Sequence, residues 1–263
     1  AIDLPSAREN FMTKHCNIIY IGAATEQFVS IDALRKCRVP HIDWTDVVAY
    51  VGVDLAMSND NCADAMVGLL PDGRVGVRVT GFIPEDKIAE KTALEKFNYT
   101  EAIRRGECIA CGDRIVDYSA IENHVFDMDE TTGAVVAQVG YDRYNAISSA
   151  QKWERGREES GNVRAHAGLE TVEVRQHSDT LHAPTKLFCE LVESGRLVYE
   201  ENRLFEVNVE NAKCTYDTNM NRYVNKKRSN GKVDCVMAVI DALYLLQQNE
   251  LLEDDGGFVC QIG

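Results

Sequence analysis

Nothing in this chain is suited to crossing a membrane. No apolar run approaches the roughly 20 residues that a spanning helix needs. The opening Ala1-Ile-Asp-Leu-Pro-Ser-Ala-Arg8 also lacks the basic and apolar regions of a signal peptide. A disulfide framework is missing too. The nine cysteines, an odd number, are scattered from Cys16 to Cys260 without recurring spacing, which points to a reducing cytoplasm. Cys108-Ile-Ala-Cys111 is the single close pair, and no second Cys or His pair at zinc spacing accompanies it. No Ser or Cys triad and no Gly-x-x-x-x-Gly-Lys-Ser/Thr phosphate loop can be found. Positive charge is scarce: 28 Lys and Arg face 42 Asp and Glu, a net charge of −14. Taken alone, that balance argues against a nucleic-acid partner.

Local patterning qualifies the last exclusion. A divalent-metal site needs clustered carboxylates, and a basic patch can hold DNA on an acidic body. Arg222, Lys226, Lys227, Arg228 and Lys232 form such a patch just before the last helical stretch. Asp217-Thr-Asn-Met-Asn-Arg222 carries the turn residues of a hairpin ahead of it. The acidic run Glu250, Glu253, Asp254 and Asp255 reads as a solvated tail, residues 251–263.

The 263 residues suffice for one large domain or one domain with an appendage. Residues 1–48 are too thinly hydrophobic to form a core and read as a linker or packing arm, with a short helix capped by Ser30. The domain proper is expected over 49–250. Strands are predicted at 49–55, 64–70 and 75–82, an antiparallel meander turning at Pro71-Asp-Gly73. Helices follow after Pro84, at 99–105 and from Asp117, then a strand at 135–142 and a helix from about Ala146. A short strand at 171–174, a helix at 184–194 and a polar segment over 200–230 lead to the clearest helix, 232–247. There Val233, Val236, Met237, Ile240, Leu243 and Tyr244 form one apolar stripe. The fold class is α/β, a mixed sheet with helices on both faces.

Within this frame, Asp54 ends an apolar strand where an unpaired carboxylate would cost several kcal/mol. If strands 49–55 and 135–142 are parallel neighbours, Asp54 and Asp142 point into one crevice at their C-terminal ends. Asp234 opens the last helix. Asp241, roughly 10 Å further along its axis, is too distant to share one ion with it. Converging carboxylates repel unless a cation intervenes. With no converging His or Cys set, hard oxygen ligands favour Mg²⁺ or Mn²⁺. Two such ions can activate a water and stabilise the leaving 3′ oxygen of a phosphodiester. His177, His182 and Lys186 could approach but read better as surface or packing residues.

Five stretches carry a resemblance in order: Val51-Gly-Val-Asp-Leu-Ala-Met-Ser-Asn-Asp60, Ile115-Val-Asp-Tyr-Ser-Ala-Ile-Glu122, Gly140-Tyr-Asp-Arg-Tyr-Asn-Ala146, Ala183-Pro-Thr-Lys-Leu187 and Gly231-Lys-Val-Asp-Cys-Val-Met-Ala-Val-Ile-Asp-Ala-Leu243. Together they resemble the nuclease domain of the large terminase subunit of tailed phages, in the group of HK97-like packaging motors. Asn10-Phe-Met-Thr-Lys14 and Ser30-Ile-Asp-Ala-Leu34 resemble the segment joining that family's ATPase to its nuclease. The resemblance implies an RNase H-like fold, metal-dependent cleavage of concatemeric double-stranded DNA, and a C-terminal portion without its ATP motor. It implies Asp54, Asp142 and Asp234 as the catalytic, metal-binding acids, with Asp60 in reserve; Asp241, on the same helix as Asp234, is a second reserve ligand apart from the resemblance. Portal protein and the small terminase subunit would be partners, in the cytoplasm of a bacterial host. Asp64 departs from the family's apolar or small residue at that position. Another RNase H-like nuclease of junction-resolvase type, or a non-catalytic DNA- or capsid-docking module, are the competing expectations.

Overall fold

The computed structural model describes residues 26–56, 60–161 and 163–251. In chain order they form β1 (Glu26–Gln27), α1 (Ile31–Arg35), β2 (Arg38–Val39), β3 (Val48–Asp54), β4 (Cys62–Leu69) and β5 (Val75–Ile83). Next come α2 (Ile88–Glu95), α3 (Tyr99–Arg104), β6 (Cys108–Ala110), α4 (Tyr118–Phe126) and α5 (Met128–Thr132). The chain continues through β7 (Val135–Tyr141), α6 (Arg143–Arg155), β8 (Glu170–Glu173), α7 (Ser178–Glu193), β9 (Leu197–Glu200) and α8 (Arg203–Asn211). It ends in β10 (Lys213–Tyr216), β11 (Arg222–Val224) and α9 (Asp234–Leu246). Much of the expected arm over 1–48, up to residue 25, and of the expected tail over 251–263, from residue 252, lies outside the described residues.

The alternation along β3 sorts the core into two layers, because successive strand residues point to opposite faces. Ala49, Val51 and Val53 face Trp44, Ile121, Val125 and Trp153, the layer covered by α4 and α6. Tyr50 faces the other layer, where Phe188 of α7 and Val236–Ile240 of α9 pack. The strands run in the order β2-β9-β5-β4-β3-β7-β8, with β6 alongside β5. The meander β3-β4-β5 is antiparallel, while β7 joins β3 and β8 joins β7 in parallel. This is the mixed sheet, covered on both faces, that the sequence predicts.

Helix α9 is the centre of one layer. Every residue from Cys235 through Leu243 is buried, so the predicted stripe is the visible part of a helix apolar nearly all round. It lies unusually close to β3. A Cβ on Gly52 would stand 2.1 Å from the Ala238 carbonyl oxygen and 2.5 Å from the Ala242 nitrogen. Only glycine allows that approach.

Three expectations about boundaries change. Helix α7 begins at Ser178, with Pro184 buried inside it. Proline suits a helix start, but here the chain tolerates one missing N–H within a buried helix. Helix α6 begins at Arg143, because Asp142 itself caps it, its Oδ1 accepting the Tyr144 N–H at 3.3 Å. Helix α8 occupies part of the polar segment expected over 200–230, and strand β9 lies just ahead of it. Inward-facing polar residues masked α8. Buried Glu206 accepts from Arg35 Nε (3.2 Å), Arg38 Nε (2.6 Å), Arg203 Nη1 (2.7 Å) and the Tyr199 hydroxyl (3.0 Å). Asn208 Oδ1 accepts the Cys235 N–H at 3.2 Å and so joins α8 to the start of α9. Asp64 is also accounted for. It is buried in β4, and its Oδ2 lies 2.6 Å from His124 Nδ1 on α4.

Two tests follow from this packing. Gly52→Ala should lower stability by about 3 kcal/mol, the upper end of overpacking costs, since the obstacle is helix backbone. Urea unfolding reads it, and an unchanged midpoint would mean that α9 does not lie so near. For His124, burial alone would lower the pKa, but Asp64 outweighs it and the net shift is upward from 6.5. The charged pair therefore stabilises fully below pH 6.5 and fades as pH rises through the raised value. The difference in melting temperature between wild type and His124→Gln should narrow from pH 6 to pH 9. A constant gap would sink the assignment.

Candidate active site

Parallel pairing in register Val53↔Tyr141 brings the next residue of each chain, Asp54 and Asp142, to one edge of the sheet. Asp54 follows Tyr50 and Gly52 on the face that α9 covers. That helix contributes Asp234 at its first turn and Asp241 about two turns on. Asp60 lies beyond β3, on the chain leading to β4. Asp54 is within electrostatic reach of Asp142, Asp60, Asp234 and Asp241. The three acids predicted as a set are thus gathered, and both reserve acids with them. Open α/β sheets place ligands at such strand ends.

The carboxylates are unequal. Asp54 is buried and is met by Lys226, whose Nζ donates to Oδ1 at 2.6 Å and Oδ2 at 2.7 Å. Burial still pushes the Asp54 carboxyl up, against the lysine. Burial also raises Asp234, with Asp54 adding to it, to about 7. The Asp234 carboxyl accepts no hydrogen bond among the described residues. Asp241 is pushed well up by burial, and its two oxygens accept Gln176 Nε2 at 3.0 and 3.1 Å. Asp60 is different. Burial would raise it, but Lys232 and Lys91 hold its carboxyl below the usual range.

Hard oxygen donors in negative excess, with Asp54, Asp234 and Asp241 raised in pKa by burial and by neighbouring acids, match a small divalent cation in chemistry. Among the described residues no three acidic, His or Cys side chains meet at metal-ligand separation. What stands on Asp54 instead is an ammonium. The site therefore has the right donors, with a lysine holding buried Asp54.

The basic patch divides. Lys226 and Lys232 reach the acids, on Asp54 and Asp60. Lys227 and Arg228 are exposed on the short turn after β11 and make no ion pair among the described residues. Arg222 is not brought to the acids. Its guanidinium donates to the carbonyls of Gln27 and Phe28 and pairs with Glu26, pinning β1. The hairpin expected before the patch is present as β10 and β11. His177 pairs with exposed Asp179, Lys186 with Glu190, and His182 accepts the Arg222 N–H, so none serves the acids. The seven described cysteines are free, Cys108 and Cys111 included. Sequence reasoning missed the partners Lys226 and Gln176. The charge of Lys226 was visible, but it pointed to phosphate. A groove of about 930 Å³ beside Asp60 is lined by Asp86, Asp113, Asp117 and Arg114, among others, an acidic wall unsuited to phosphate.

Comparison with known proteins follows this geometry. Residues 1–250 match the family described as terminase large subunit, endonuclease domain. The HK97 bacteriophage large terminase superposes with a TM-score of 0.74 at 20% identity, over 92% of this chain and 48% of that one. A large terminase from a thermophilic bacteriophage gives 0.51 at 10%, over 94% and 52%. The large terminase nuclease of another thermophilic phage, G20c, gives 0.50 at 12%, over 82% and 96%. At these identities the likeness establishes the RNase H-like fold. The chain spans about half the length of the first two of these proteins. No curated protein matches it by sequence.

The unequal acids predict opposite effects on stability. Asp234 ionises at about 7 in the folded chain against an ordinary 3.8, so folding loses stability as pH rises from about 4 to 7. Asp234→Asn should be more stable than wild type at pH 8, with the gain gone at pH 4. Asp54→Asn leaves Lys226 without its partner. Because that lysine is 42% exposed, water screens the loss to about 1 kcal/mol. Melting curves of both variants without metal decide it, and destabilisation by Asp234→Asn at pH 8 would contradict the repulsion.

Proposed function

This chain belongs to the terminase large subunit, endonuclease domain family, and from that premise we propose a divalent-metal-dependent endonuclease that cuts concatemeric double-stranded viral DNA during genome packaging. The observation that carries the reading is the gathering of Asp54, Asp142 and Asp234 at one sheet edge, with more negative charge than its lysines neutralise. We assign Mg²⁺ or Mn²⁺, as a pair of ions, to these three acids, with Asp60 and Asp241 flanking them. Such an ion, when bound, supplies a Lewis acid that activates water and neutralises charge on the phosphate.

The chain's own residues do the rest. Burial fixes the Asp54 carboxylate at the end of β3, and capping of α6 fixes Asp142, so neither needs to be ordered when substrate arrives. Gln176 orients Asp241 through both oxygens. Exposed Lys227 and Arg228, next to the lysine that meets Asp54, draw a phosphate backbone toward the acids. That is how a chain of net charge −14 holds an acidic polymer. Family membership proposes portal protein and the small terminase subunit as partners, in the cytoplasm of a bacterial host. No helix among the described residues is long and apolar enough to cross a membrane.

Supercoiled plasmid incubated with the protein should be nicked and linearised in Mn²⁺ or Mg²⁺ and left intact in EDTA. Asp54→Asn, Asp142→Asn and Asp234→Asn should each reduce cleavage to background while the far-ultraviolet circular dichroism spectrum is retained. A variant that cuts like wild type would remove its residue from the site.

A further inference from the structure

The ammonium of Lys226 sits on both oxygens of Asp54, at 2.6 and 2.7 Å, so a cation ligating either oxygen meets it directly. The two partners differ in exposure. The Asp54 side chain is 6% exposed at the end of a central strand, whereas the Lys226 side chain is 42% exposed on a short turn. The backbone of that turn is held by Asn225, whose side chain accepts the Lys227 N–H and donates to Thr215 Oγ1, both at 3.1 Å. Only the lysine's own flexible stem is left to move. The lysines on Asp60 are more confined: the Lys91 side chain is 8% exposed and that of Lys232 29%. Beside Lys226 stand Lys227 and Arg228, exposed and without ion pairs among the described residues.

We infer that Lys226 is an internal counter-cation for Asp54: an entering divalent ion displaces its ammonium, which then joins Lys227 and Arg228 on the DNA phosphates. The inference rests on the metal-dependent nuclease reading and adds regulation of the same site. A monovalent ammonium protects Asp54 from its acidic neighbours while no metal is bound. A divalent ion offers the acids twice the charge, and its repulsion expels the lysine. Metal binding thereby frees a phosphate ligand, so metal and DNA should strengthen each other's binding reciprocally.

Isothermal titration with Mn²⁺ alone, without DNA, tests the competition. Lys226→Gln and Lys226→Met should each bind Mn²⁺ about tenfold more tightly than wild type, a usual size for coupling between ligands. Lys226→Arg, which keeps the charge, should stay near wild type, as should the remote Lys186→Gln. Equal or weaker binding by folded Lys226→Gln and Lys226→Met overturns the inference, as does tight binding by Lys226→Arg. If wild type and every variant fail to bind Mn²⁺, the nuclease reading falls and this inference with it. Anisotropy of a short labelled duplex in Ca²⁺ and in EDTA tests the second half. Ca²⁺ should tighten wild-type binding about fivefold and Lys226→Gln distinctly less, and equal gains would overturn the coupling.

Discussion

A carboxylate inside a sheet is the constraint on which the rest depends. Asp54 occupies the end of an interior strand, on the face covered by α9, the most buried helix among the described residues. Water has little access to it there, and other acids stand around the one lysine that meets it. An arrangement so unfavourable persists because the surrounding elements over-determine it: β3 is paired on both sides, and α9 is packed down on Gly52. The lysine that relieves it comes from the segment just before α9, so the helix that crowds the acid is tied to its countercharge.

The same geometry explains why the site is graded. Asp60 is held by two lysines, and Asp142 caps the backbone of α6. Asp234 and Asp241, both on α9, are pushed up by burial first and by the charge of Asp54 as well. Such divergence among neighbouring carboxyl groups is a common mark of functional sites. It arises here from fold alone, with acids brought together from the end of β3, the start of α6, the segment before β4 and two turns of α9.

Much of this was legible in the sequence. An Asp interrupting an alternation of Val51, Val53 and Leu55 is visible without a structure, and so is a strand of matching register ending at Asp142. The apolar stripe of the last helix and the turn at Pro71-Asp-Gly73 are equally plain. What stayed hidden were side-chain pairings across long separations. Lys226 and Asp54 are 172 residues apart, and no local pattern tells a lysine aimed at a carboxylate from one aimed at phosphate. Asp64 looked out of place because His124, its partner, lies 60 residues away. Helix α8 was obscured for a related reason: its polar residues look solvated in sequence, yet Glu206 and Asn208 are buried and bonded. Pro184 signalled a helix start and was a helix interior.

The cluster around Glu206 has a further consequence, for how this fold can drift. One buried carboxylate serves Arg35, Arg38 and Arg203, which come from three different elements or their edges. Redundancy of this kind is one-sided. Any single arginine can be lost with the acid still paired, whereas loss of the acid strands every cation at once. Substitutions should therefore accumulate on the arginine side, the positions relieving one another over time. The glutamate stays fixed as the hub, even though it takes no part in chemistry.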